Sequence, residues 1–220
     1  MFSIIFLFFL SSCGGSGGSG GGGSKASAAT GVRILHGVLD VAPLNVLSTS
    51  RPDQVVQLAS FAEPSVYAAL PDGLQEISLT LNKSPSTVYA RFNVDIQRND
   101  HYSLVFYGNP DNLGLNVSLI KDEAGVIPEG TAAVKIIHAL VGAGLLQASF
   151  SDGQSSGQTM FGAAANYAYV PQGLNGIIIR RVSDGRAVAN ISHEFAAGRS
   201  YSIFVSGEVD YFVVSRVLQD

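Results

Sequence analysis

Two histidines and one aspartate are the residues whose types and spacing most resemble those of a functional site. His36 and His138 close two nearly identical pentapeptides 102 residues apart, and Asp40 follows His36 by four positions. Imidazole and carboxylate groups so placed could contribute to a metal site. Zinc, however, needs three or four protein ligands, and the second copy has Gly142 where the first has Asp40. We therefore expect no metal and no other cofactor, with each histidine bonding a backbone carbonyl at a strand end.

The single cysteine lies in a different kind of motif, near the N-terminus. Residues 2–10 form an apolar run that is too short to cross a bilayer, which takes about 20 residues, but that fits the core of a signal peptide. Leu10-Ser11-Ser12-Cys13 follows and resembles the bacterial lipobox, in which the cysteine thiol accepts a diacylglyceryl group before cleavage. We expect residues 1–12 to be removed and Cys13 to become the lipidated first residue, although no Lys or Arg precedes the run.

Residues 13–30 then predict a flexible tether. Positions 14–24 contain only Gly and Ser, and such a coil has a reach of about 20 Å. Several acyl chains on one cysteine would anchor the chain stably in a membrane. Because Gly14, not Asp, follows the cysteine, the expected location is the outer membrane of a bacterial envelope.

The rest of the chain consists of two similar copies of one sequence unit. Three blocks recur in the same order at offsets close to 100 residues: Val32–His36 with Val134–His138, Tyr67–Leu74 with Tyr167–Leu174, and Tyr102–Leu104 with Tyr201–Ile203. This pattern predicts a tandem duplication, with copies over residues 31–125 and 131–220. Segment 122–130 is polar and contains Gly and Pro, which predicts a linker between the two copies.

The periodicity inside each copy is that of strands. Residues 74–81 alternate in their second half, residues 102–107 and 201–205 are rich in β-formers, and no apolar stripe of helical period is sustained. Short strands at this spacing predict an all-β fold: two tandem Ig-like antiparallel β-sandwich domains with seven or eight strands each.

Six residues are expected to serve that fold and not a ligand. Pro71 with Gly73, and Pro171 with Gly173, have the composition of turns, since Pro presets φ and Gly accepts a positive φ. Tyr102 and Tyr201 open late strands, as in the tyrosine corner of Greek-key sandwiches.

These blocks resemble a known family. A Val-Arg-Ile-Leu-His start, a central Tyr-x-x-x-Pro-x-Gly and a late Gly-x-x-Tyr-Ser are similar to the bacterial domain of unknown function 4397, which occurs in surface lipoproteins and often in tandem. The resemblance covers nearly all of residues 31–220. It implies a fold and a location but no activity, because the family has none established.

The copies differ in the residues that catalysis would need. Asp72 aligns with Gln172 and Glu76 with Gly176, so what the copies share is apolar residues, Gly, Pro and Tyr. We therefore expect no enzyme activity. A net charge of −4 disfavours a nucleic-acid partner. Tyr169 and Tyr211 lack a Tyr counterpart in the first copy, which makes them weak candidates for a binding surface.

The sequence thus predicts a lipid-anchored, non-catalytic binding or structural module of the cell envelope. Its expected partner is another envelope protein or a polysaccharide. Two alternatives stay open: a carbohydrate-processing enzyme or accessory with a site between the two copies, and an assembly or chaperone-like partner that uses exposed strand edges.

Overall fold

The structure, a computed structural model, describes residues 31–48, 51–57, 61–81, 84–109 and 114–220. Regular secondary structure in these residues is entirely β, which confirms the predicted fold class. The first repeat contains eight strands: β1 (Gly31–Val38), β2 (Leu44–Ser48), β3 (Arg51–Gln57), β4 (Ala68–Ala69), β5 (Gly73–Leu81), β6 (Ser84–Ile96), β7 (His101–Asn109) and β8 (Gly114–Lys121).

The second repeat follows the same plan with seven strands. They are β9 (Thr131–Val141), β10 (Leu146–Phe150), β11 (Ala168–Pro171), β12 (Gly173–Arg181), β13 (Ala187–Phe195), β14 (Ser200–Glu208) and β15 (Phe212–Gln219). A segment at residues 153–159, which bridges β10 at Leu146 and Ser149, takes the place of β3. No described residue belongs to a helix, so none of the described segments offers a helix that could span a bilayer.

Each repeat is a sandwich of two sheets. The sheet orders are β4-β1-β7-β8 and β3-β2-β5-β6 in the first repeat, and β11-β9-β14-β15 and β10-β12-β13 in the second. All pairings are antiparallel except β1 with β7 and β9 with β14, which are parallel. The prediction of antiparallel sheets did not include these two pairs. They arise because the chain crosses to the other sheet after β1 or β9 and then returns beside that same strand, running in the same direction.

The two repeats stack into four β layers. Alternate residues of β1, such as Ile34, point into the first core, which β2, β5 and β6 complete, while the intervening Leu35 points out toward the second repeat. Strand β9 repeats this with Ile136 inward and Ile137 outward. Both faces of β1 and β9 are therefore buried, which explains their near-continuous apolar runs. Each of the fifteen described strands pairs inside its own repeat, so none of these strands is exchanged between the repeats.

The predicted turn and corner residues have defined geometry. Gly73 and Gly173 start β5 and β12 with φ of 93° and 101°. Tyr102 Oη accepts a hydrogen bond from the Gln97 amide at 3.3 Å, and Tyr201 Oη accepts one from the Ala196 amide at 3.1 Å. Each hydroxyl thus ties the loop before its strand to the strand itself.

Candidate functional site

The surface at which the repeats meet, called the seam below, has an apolar centre. It is formed by the outward faces of β1, β7 and β8 against those of β9, β14 and β15. Six fully buried residues make up this centre: Leu35, Ala62, Val105, Ile137, Ala139 and Phe204. Phe61 packs edge-on against Phe212 of the second repeat, with ring centroids 5.7 Å apart, and Tyr107 packs edge-on against Phe161 at 5.0 Å.

A buried group of charged residues lies beside this apolar centre. Arg33, on β1, is 3% exposed, and its guanidinium makes contacts on both sides of the seam. In its own repeat, Nε donates to Ser103 Oγ at 2.7 Å and Nη2 lies 3.4 Å from Asp122 Oδ2. Across the seam, Nη2 bonds Asp220 Oδ1 at 2.5 Å and Nη1 donates to the Gln219 carbonyl at 3.2 Å.

Lys135 makes the reciprocal contacts from β9. Its side chain is 2% exposed, and its ammonium group bonds Asp122 Oδ1 at 2.8 Å and the Lys121 carbonyl at 2.6 Å, both in the first repeat. Lys121 and Gln219 are the last residues of the edge strands β8 and β15. Each edge strand therefore has its final outward carbonyl bound by a cation of the opposite repeat.

Hydroxyl groups complete the coordination of both carboxylates. Asp122 Oδ2 accepts hydrogen bonds from Ser103 and Tyr67 at 2.7 and 2.8 Å. Asp220 accepts the equivalent bonds from Ser202 and Tyr167, also at 2.7 and 2.8 Å. The two acid side chains are 0% exposed, so all of their contacts are with the protein.

These eight residues, the charge network, form four repeat-equivalent pairs: Arg33 with Lys135, Tyr67 with Tyr167, Ser103 with Ser202, and Asp122 with Asp220. The network corrects two points of the sequence interpretation. The copies do share an acid, and Asp122 is a buried seam residue and not part of a solvated linker. The available signal was an Asp directly after the last strand of each copy, but without the strand ends that aspartate cannot be told from linker composition.

The two network tyrosines are held protonated. Burial, and next the charge of Asp122, raises the pKa of Tyr67, while burial and Asp220 raise that of Tyr167. Each ring also lies beside the cation of its own repeat, with Arg33 Cζ 5.1 Å from the Tyr67 centroid and Lys135 Nζ 4.8 Å from that of Tyr167. The network is thus two cations, two anions and neutral hydroxyls, and the side chains of its two carboxylates are fully buried.

The histidines singled out in the sequence are buried packing residues. His138 Nε2 bonds the Gly144 carbonyl at 2.8 Å, and its Nδ1 accepts from the Leu140 amide at 3.1 Å. His36 Nδ1 accepts from the Val38 amide at 3.3 Å, and a contact of the ring with the Val41 backbone partly offsets the effect of burial on its pKa. Burial lowers the pKa of both rings to about 4, so both are neutral at pH 7.

The remaining sequence candidate for a metal site, Asp40, does not join the two histidines. Asp40 is exposed in the turn after β1 and has a φ of 57°. Among the described residues no three His, Cys, Asp or Glu side chains form a cluster that could hold a metal ion.

The candidate binding tyrosines lie apart from each other. Tyr169 is half-buried, and its Oη donates to the Ala124 carbonyl at 3.3 Å, which connects β11 to the segment between the repeats. Tyr211 is 80% exposed at the β14–β15 turn, next to Phe212 at 49%. Cys13 lies outside the described residues.

A groove runs along the outer margin of the seam. It has a volume of about 460 Å³ and is lined by the 64–67 segment of the first repeat, by residues 217–219 of β15, and by Arg33 at its base. Val66, on its rim, is 83% exposed. Arg33 and Tyr67 of the charge network line this groove, so the network comes near solvent there.

The chain resembles known proteins mainly through its family. The family described as "Domain of unknown function (DUF4397)" matches residues 30–149, which include the whole first repeat and β9 and most of β10 of the second. None of the curated proteins compared with the chain matches it.

Two solved structures that the chain resembles are distant likenesses. One is a family 26 carbohydrate-binding module of Amy13K from Eubacterium rectale, in complex with maltoheptaose, at 10% identity over 87% of this chain and 97% of that one, with a TM-score of 0.27. Another is a candidate cell adhesion protein from Bacteroides uniformis ATCC 8492, at 9% identity over 89% and 98%, with a TM-score of 0.26. At these scores the likenesses support no conclusion about ligands.

Proposed function

Since the chain belongs to the DUF4397 family, whose description states no activity, we propose its function from its own residues. The proposal is a non-catalytic module of the bacterial cell envelope, anchored by lipid on Cys13, that makes contact with another envelope protein or a polysaccharide. One observation carries the non-catalytic part. Two equivalent pairs of charged residues, Arg33 with Lys135 and Asp122 with Asp220, are buried at the seam and are bound to each other across it.

A catalytic pair of carboxylates needs one acid that can exchange protons with substrate. Asp122 and Asp220 are placed between the repeats, where an interdomain active site would be expected. Their side chains are 0% exposed, and both are bound by cations and hydroxyls of the protein. Opening them to substrate would separate the repeats and expose the apolar centre of the seam. Their arrangement therefore suits a role in holding the two repeats together better than a role in glycoside hydrolysis.

A rigid two-repeat body suits a binding role at a membrane surface. Because buried ion pairs and apolar contacts join the repeats, the outer sheets keep a fixed relation to each other. A tether of about 20 Å would let that body reach partners close to the membrane. Exposed aromatic residues at the β14–β15 turn, Tyr211 and Phe212, lie on the body's surface and are suited to contact with a partner.

Membrane fractionation tests the anchoring proposal. We expect the wild-type chain in the membrane fraction, cut before Cys13, and the Cys13→Ala variant released and uncut. Ser12→Ala, which keeps a small residue before the cysteine, is the matched control and should still be processed. A Cys13→Ala chain that stays membrane-bound and is cleaved normally would contradict lipid anchoring.

A further inference from the structure

The charge network is symmetric between the repeats, so its charges do not explain why the first repeat pairs with the second and not with another first repeat. Each repeat contributes one cation and one anion: Arg33 and Asp122 from the first, Lys135 and Asp220 from the second. Two copies of either repeat could therefore satisfy the same charges with each other. Charge alone does not distinguish the observed pairing from a like-with-like pairing between two chains.

The packing beside the network is not symmetric. Tyr107, on β7, fills the space above Gly162, and a Cβ placed on that glycine would overlap the tyrosine ring, at 2.5 Å from Cε2. The equivalent positions are Ser206 for Tyr107 and Ala62 for Gly162. The equivalence of Ala62 and Gly162 is structural as well, because their amides bond the His36 and His138 carbonyls at 2.8 and 2.7 Å and both have positive φ. A pair of first repeats would bring Tyr107 against the Ala62 methyl.

A second asymmetric contact would prevent two second repeats from pairing. Gly37 of β1 lies against Ala139 of β9, which is its repeat equivalent. A Cβ on Gly37 would be 2.8 Å from the Ala139 Cβ and 3.1 Å from Phe204 Cζ. Two second repeats would bring Ala139 against Ala139 at this same place, where the methyl groups would be closer than real Cβ atoms come.

We infer that the Tyr107/Gly162 and Gly37/Ala139 contacts fix the pairing of the first repeat with the second, at a seam whose charges alone would equally allow two like repeats to pair. The Tyr107 side chain blocks pairing of two first repeats, and the Ala139 methyl blocks pairing of two second repeats. Steric mismatch of this kind is an ordinary route to partner specificity. The two contacts are thus specificity determinants of the fold, whereas the charge network orients the partners.

A double-mutant cycle on the full-length chain in detergent tests the Tyr107/Gly162 contact. Gly162→Ala should lower the melting temperature by at least about 5 °C, since overpacking adds to backbone strain. Gly185→Ala is the matched control, because Gly185 has a φ of 70° and nothing within 4 Å of its Cβ. In a Tyr107→Ser background, Gly162→Ala should cost no more than Gly185→Ala does. An equal cost of Gly162→Ala with and without Tyr107 would overturn the steric assignment.

A pairing experiment tests specificity itself. A protease site is placed at Val126, which is 92% exposed between the repeats, and two folded full-length populations with different tags are cut, mixed and analysed by native mass spectrometry. We expect only complexes of one first repeat with one second repeat. Tyr107→Ser combined with Ala139→Gly should add like-with-like pairs, because it removes both blocks and keeps every charge.

Two results of this experiment would contradict the inference. One is a wild-type sample with like-with-like pairs at the level of random association. The other is a doubly substituted sample whose pairing is unchanged. If the cut halves do not stay folded, exchanging the residues at positions 37 and 139 in the uncut chain tests the Gly37/Ala139 contact. Gly37→Ala should lower the melting temperature, and adding Ala139→Gly should recover part of the loss; no recovery would refute the second contact.

Discussion

Replacing one acid of the charge network by its amide should strongly lower the stability of the fold, although the side chain keeps its shape. In Asp122→Asn the carbonyl oxygen can still accept a hydrogen bond, but the carboxylate that faces Lys135 at 2.8 Å and Arg33 at 3.4 Å is gone. Two buried cations then share one anion, Asp220. Removing one partner from a buried ion pair typically costs about 3–5 kcal/mol, because an uncompensated charge is left in a desolvated site.

That cost can be measured as a shift in thermal or urea unfolding. For a body of this size, about 3–5 kcal/mol corresponds to a melting temperature lower by roughly 6–20 °C. Asp210→Asn is the matched control, since Asp210 makes a 3.0 Å ion pair with Arg186 in which both side chains are about 60% exposed. Exposed pairs contribute little, so this control should unfold at the wild-type temperature.

A second substitution separates charge from shape. Adding Lys135→Met to Asp122→Asn restores neutrality, with Arg33 and Asp220 remaining as a pair, and should recover most of the lost stability. Asp122→Asn that unfolds within error of Asp210→Asn would refute the claim that buried charges hold the seam. Failure of Lys135→Met to recover any stability would refute the electrostatic explanation of the loss.

Two further predictions follow from the geometry of single residues. Because burial lowers the folded pKa of His36 and His138 to about 4 from 6.5, the unfolded chain takes up protons first as pH falls, so stability is complete above about pH 6.5 and declines toward pH 4. The free energy of unfolding measured in urea should fall by about 1.5 kcal/mol per histidine between pH 6.5 and 5. His36→Gln with His138→Gln should flatten this slope, and a slope unchanged by both substitutions would contradict the prediction. Gly173→Val should cost about 1–3 kcal/mol through its φ of 101° alone, since no atom lies within 4 Å of the added Cβ. Gly157→Val, at a glycine with ordinary φ and equally open space, should be close to neutral, and equal losses for the two variants would show that the turn at Gly173 does not need glycine.

The sequence was informative where one repeat alone determines the structure. Alternating residues and Pro-x-Gly turns predicted an all-β fold, and the recurring blocks predicted two similar halves, because strand period and turn chemistry are local properties. The parallel pairing of β1 with β7 was not predictable in this way. It depends on where the chain returns after crossing between sheets, which no local pattern records.

The seam was missed for a related physical reason. Arg33 and Lys135 were visible in the recurring pentapeptides, and Tyr67 and Tyr167 in the second block, but a role for them requires knowing that β1 and β9 are buried on both faces. Asp122 and Asp220 follow the last strand of each repeat, where the alignment of the copies is weakest. Comparison of the acids Asp72 and Glu76 with the second copy therefore suggested that no acid was shared, and that conclusion was wrong.

The non-catalytic role is tested most directly by activity and metal measurements on the purified full-length chain. Wild type, Asp122→Asn with Lys135→Met, and Asp220→Asn are assayed against a broad set of glycoside, ester and peptide substrates, with metal content measured on the same samples. The proposed role predicts no stoichiometric metal and no turnover in any of the three. Turnover by the wild-type chain that disappears in the folded, charge-neutral Asp122→Asn/Lys135→Met variant would contradict it and would assign the seam to catalysis.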